Sequence, residues 1–123
     1  MDDEAFQTLI NYLEKVPSIQ TPIAFGDEPG LWWVKFKLDI ENNLAWNVVQ
    51  ELGYVINYIT INDRLPTSFH PVSPPPYMNG GPRDYLSWVI ESTDKDFTPD
   101  ILMEILEGRL PRPVEDLEKW NLE

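Results

Sequence analysis

An α+β fold, a two-layer sandwich with a mainly antiparallel sheet and helices packed on one face, is predicted by three features of the chain. Residues 31–40 alternate apolar and polar with period two, as a strand covered on one face does. Residues 44–59 and 97–106 place apolar side chains at helical spacing. Two strand-like segments, 65–72 and 84–93, follow one another with no helix between them, so they form a hairpin and the sheet is at least partly antiparallel. The 123 residues suffice for one domain with one hydrophobic core, spanning 1–123 with an extended, Pro-containing tail from about 110.

The elements follow in order. Phe6, Leu9, Ile10 and Leu13 fall at i, i+3, i+4 and i+7, and Asp2, Asp3 and Glu4 complement the positive end of the helix they begin. Pro17 stops that helix, and Pro17, Pro22, Gly26, Pro29 and Gly30 make 17–30 a connector, interrupted at most by a short extended piece, Ile23-Ala24-Phe25. In the strand 31–40, Trp32, Val34, Phe36, Leu38 and Ile40 point inward, while Trp33, Lys35, Lys37 and Asp39 point outward. Leu44, Val48, Leu52, Val55, Ile56 and Ile59 form one helical stripe ending near Thr60, with Asn42 or Asn43 as N-cap. Gly53 weakens this helix, and close packing against another backbone would account for it.

Pro66 and Pro71 mark 65–72 as a short or edge strand. In 85–93, Leu86, Trp88 and Ile90 face in, and Tyr85, Ser87, Val89 and Glu91 face out. The last helix carries Thr98 as N-cap, Pro99 at its first position, Phe97 stapled on Leu102, and Ile101, Leu102, Ile105 and Leu106 inward, with Gly108 as its left-handed stop. Asp116 to Trp120 adds a helical turn that docks Leu117 and Trp120.

Composition excludes several functions. Asp and Glu number 21 against 9 Lys and Arg, a net charge of -12, so the chain lacks the clustered cations that nucleic acid or an anionic membrane surface requires. With no Cys there is no disulfide, thiolate metal site or thiol nucleophile. Met1-Asp2-Asp3-Glu4 has the wrong charge for a secretory signal and no apolar run approaches a membrane span, which predicts a cytoplasmic protein.

Catalytic motifs are weak. His70 is the single histidine, without a second His or a Gly-x-Ser-x-Gly elbow, and it reads more simply as an edge-strand residue than as a base. The segment Asp94–Asp100 begins like a calcium loop, but Pro99 and Ile105 occupy the positions that require Gly and Glu. Asn79-Gly80-Gly81 leads into a strand rather than a helix, so it is a turn and not a phosphate cradle. No cofactor and no metal are expected.

Three surfaces stand out instead. Asp100, Glu104 and Glu107 share one face of the last helix, either as a solvated face or as a docking surface for a basic partner. The loop 73–83 joins Pro74-Pro75-Pro76, which favours polyproline II, to Tyr77, Met78 and Arg83, residue types enriched at interfaces. Its alternative role is to blunt a sheet edge. Trp33, with Tyr85 and Val89 on the same sheet face, makes an aromatic patch suited to self-association as a homodimer, unless the tail around Trp120 covers it.

The block Leu31-Trp32-Trp33-Val34-Lys35-Phe36, with Leu65–Phe69, Pro74–Pro82 and Leu86–Glu91, resembles a small family of uncharacterised cyanobacterial proteins. The resemblance covers most of 31–113 and implies a cytoplasmic setting, but brings no activity, cofactor or site residue with it.

The expectation is therefore a non-catalytic, acidic interaction or accessory protein, with partner contacts at Trp33, Tyr77, Met78, Arg83, Tyr85, Asp100, Glu104 and Glu107. The alternative is a small-molecule-binding domain or enzyme, with His70, Tyr77, Arg83 and Glu91 around a pocket between loop 73–83 and the sheet; Arg83 would offer its planar fork to a carboxylate or phosphate.

Overall fold

The computed structural model describes residues 3–58, 65–72 and 87–120. Its elements are α1 (Asp3–Leu13), β1 (Ile19–Glu28), β2 (Leu31–Leu38), α2 (Ala45–Gly53) running into a π-helix (Tyr54–Tyr58), β3 (Thr67–Val72), β4 (Ser87–Ser92), α3 (Pro99–Arg109) and a 3-10 turn (Leu117–Trp120). The four strands form one antiparallel sheet in the order β1-β2-β4-β3. This is the predicted α+β fold, and the predicted hairpin partners, β3 and β4, lie side by side.

One hydrophobic core joins the two layers. Phe6, Leu9 and Leu13 of α1, Val48 and Leu52 of α2, and Leu102 and Leu106 of α3 bury against Trp32, Val34, Phe36, Phe69, Trp88 and Ile90 of the sheet. These sheet residues alternate along their strands, so the three described helices sit on one face. The Trp32 indole N–H donates to the Phe97 carbonyl at 2.6 Å, tying β2 to the entry of α3.

The segment read as a connector is in fact a ten-residue strand. The three prolines and two glycines of 17–30 point to a loop, and Pro22 and Gly26 fall inside the strand, but β1 is an edge strand, where a missing N–H on the open side costs no ladder bond. Pro22 falls where the register with β2 shifts, between Gln20 and Ala24. Phe25 lies on the core side, stacked on Phe6 with ring centroids 4.7 Å apart.

Smaller corrections concern caps and faces. Leu44 occupies the N-cap of α2 without a side-chain bond, and Asn42 Oδ1 instead accepts the Leu44 N–H in the preceding turn, at 2.8 Å. Gly53 meets no backbone: an added Cβ would approach only Asn57 Nδ2, at 3.9 Å, an ordinary contact. Thr98 stands at the N-cap of α3, but its hydroxyl bonds the Asp100 carboxylate rather than a helix N–H. α3 continues through Gly108 and ends at an extended Leu110, so Gly108 is not the left-handed stop. Ile101 is exposed instead of inward. In the tail Trp120 is fully buried while Leu117 is exposed.

Candidate functional site

The sheet face opposite the helices collects three of the described candidate residues, Trp33, His70 and Glu91. Along β2, Trp33 and Lys35 point to this outer face because Trp32, Val34 and Phe36 point to the core. Pairing extends the face sideways. Gly26, Trp33, Glu91 and Ser68 form one cross-strand row, and Ala24, Lys35, Val89 and His70 form the next.

Gly26 explains how an indole is accommodated here. A Cβ at position 26 would stand 2.6 Å from Trp33 Cζ2, so the ring lies directly over the glycine backbone and is half-buried by its own sheet. Lys35 Nζ sits 5.5 Å from the centroid of the same ring, within reach of its negative π face. Trp120, in contrast, is buried on the helical side. Its N–H donates to the Val114 carbonyl at 2.7 Å, and its own carbonyl accepts from Asn47 Nδ2 at 2.7 Å. The tail therefore does not cover Trp33 with Trp120.

Val89 departs from expectation. It points to the outer face but is only 5% exposed, and it lies outside the cluster that the helices build. β4 is a central strand, so Lys35 and His70 flank Val89 on both sides and screen it.

His70 and Glu91 are brought together across β3 and β4, with Nε2 and Oε1 3.9 Å apart and their side chains 43% and 35% exposed. This spacing suits an ion pair with a protonated imidazole but exceeds hydrogen-bond reach, so the carboxylate does not orient the ring as a catalytic base. Ser68, opposite Glu91 in the register, is an outer-face polar group that no motif in the sequence singled out. Lys35 was legible as an outward residue, but its place over Trp33 depends on the fold.

The remaining candidates divide in two. Asp100, Glu104 and Glu107 are exposed on α3, in the helical layer on the opposite side of the sheet, so they do not join Trp33 in one surface. Tyr77, Met78, Arg83 and Tyr85, and with them the loop 73–83, lie outside the described residues. The Asp94 region forms the entry to α3: Asp94 Oδ1 accepts the Asp96 N–H at 2.9 Å, and the Asp94 carbonyl accepts the Phe97 N–H at 3.1 Å. Among the described residues no three His, Asp or Glu side chains gather as a metal site, and no helix is long and apolar enough to cross a membrane.

Comparison of the chain with family models, with curated proteins and with solved structures gave no match. Its functional reading rests on geometry and charge.

Proposed function

We propose that this acidic chain is a non-catalytic interaction protein of the cytoplasm, which engages a protein partner through the outer face of its sheet. The observation that carries this reading is the display of Trp33, Lys35, His70 and Glu91 on two adjacent cross-strand rows of the face turned away from the three described helices. An indole and a cation held by the sheet are contact groups that lose little freedom on docking. The acids of α3 form a separate surface suited to a basic partner.

Sedimentation of the chain alone tests self-association, and crosslinking in cell extract tests for a second protein. A complex should form with wild type and with Glu104→Lys. It should be lost in the Lys35→Glu, His70→Ala double variant while the melting temperature is unchanged, since both side chains are peripheral to the core. A complex that survives the double variant but not Glu104→Lys moves the contact to α3, and a monomer without any crosslinked partner defeats the proposal.

The second reading, a small-molecule site, is favoured by the 3.9 Å approach of His70 to Glu91. It requires saturable thermal stabilisation by a compound, abolished in His70→Ala.

A further inference from the structure

The helical layer holds a cavity of about 470 Å³ between the last turn of α1, the end of α3 and residues 112–115. Tyr12, Lys15, Glu107, Arg112 and Glu115 line it, with Pro113 and Val114 as an apolar wall. Two cations and two carboxylates thus face one space. Among the described residues none of the four is ion-paired with another.

Tyr12 supplies an independent observation. The residue is 8% exposed, and its hydroxyl is buried with no hydrogen-bond partner among the described residues. Buried hydroxyls are normally bonded, because losing water without replacement costs free energy. Burial, then the negative charges of Glu107 and Glu115, push the phenol up to about 12 against the opposing effect of Arg112. The phenol therefore keeps its proton at physiological pH. It is an unused donor.

The lining selects against singly charged ligands. An anion would meet Arg112 and Lys15 but also two carboxylates, and a cation would meet the reverse. We propose that this cavity binds a small zwitterion of the amino-acid class, its carboxylate held by Arg112, Lys15 and the Tyr12 hydroxyl and its ammonium by Glu107 and Glu115. The planar guanidinium matches a carboxylate in two-point contact. Pro113 and Val114 contact the aliphatic part of the ligand. The hydroxyl is buried in the free protein, so contact between it and a ligand requires lining side chains to move aside. This site lies in the helical layer, apart from the outer sheet face, and stands independently of any partner bound there.

Amide-proton NMR titrations with L-alanine, L-leucine and L-glutamine test it, with propionate and propylamine as ligands carrying one charge each. At least one amino acid should give saturable shifts around Tyr12, Lys15 and Val114. Propionate and propylamine should bind at least about tenfold more weakly. Arg112→Gln and Glu115→Gln, both exposed in the free protein, should each weaken binding about tenfold, and Tyr12→Phe several-fold. The absence of saturable shifts with all three amino acids up to about 20 mM, or equal binding of a singly charged half-ligand, overturns the proposal.

Discussion

The indole of Trp33 lies over Gly26 so closely that a Cβ there would stand 2.6 Å from Cζ2. The two residues are register partners on β1 and β2, so the ring replaces the side chain that glycine lacks and covers the edge-strand backbone. Gly26→Ala must displace the ring or the strand. We expect a loss of about 1–3 kcal/mol, the usual range for overpacking, measured by urea unfolding. In a Trp33→Ala background the same substitution should be neutral, because no ring remains to clash. A loss of equal size in both backgrounds would show that the contact is not the cause.

Asn57 protects the opposite edge of the sheet. Its Nδ2 donates to the Phe69 carbonyl at 3.0 Å, and the Phe69 N–H donates to its Oδ1 at 2.7 Å, so an amide side chain pairs with β3 as a strand would. The Thr67 hydroxyl adds a bond to the Ile56 carbonyl at 2.8 Å. Asn57→Ala leaves two part-buried backbone groups without these partners and should cost about 1–3 kcal/mol. Hydrogen exchange at the Phe69 amide should accelerate selectively, whereas unchanged protection would count against the bond.

Tyr12 makes stability depend on alkaline pH. Its folded-state value, raised from the ordinary 10.0 to about 12, means that the native chain keeps a proton the unfolded chain has lost between those limits. The stabilisation is fully present below pH 10 and is lost as pH rises toward about 12. A two-unit shift corresponds to about 2–3 kcal/mol. Relative to Tyr12→Phe, which removes only a hydroxyl, wild type should lose that amount over this interval in urea titrations. The comparison cancels the titration of the other tyrosines, and a pH-independent difference would refute the shift.

Trp120 should be the dominant anchor of the tail. It is fully buried, and its indole N–H and its carbonyl both find partners. Trp120→Ala should destabilise by about 3–5 kcal/mol, as the removal of a large core aromatic does. Leu117→Ala, at an exposed position in the same turn, should cost less than about 0.5 kcal/mol. Thermal denaturation of the two variants separates them, and similar melting temperatures would place Trp120 outside the core.

Sequence alone determined the elements whose burial is one-sided and periodic. The alternation of Trp32, Val34, Phe36 and Leu38, and the stripe of Phe6, Leu9, Ile10 and Leu13, specify their own faces because period and side-chain direction are local properties of strand and helix. Only the tertiary structure decided the rest. Strand β1 was hidden because prolines and glycines break an isolated strand, and only the neighbouring β2 supplies the bonds that sustain it. Val89 becomes buried because β4 is central, which depends on strand order. His70 and Glu91, 21 residues apart in sequence, meet through the β3–β4 register, while α3 carries its acids to the other side of the sheet. The cavity around Tyr12 joins the end of α1 to residues about 100 positions later. Such long-range juxtapositions leave no periodic trace in the chain, since they are set by which layers pack and not by the conformational preference of any one segment.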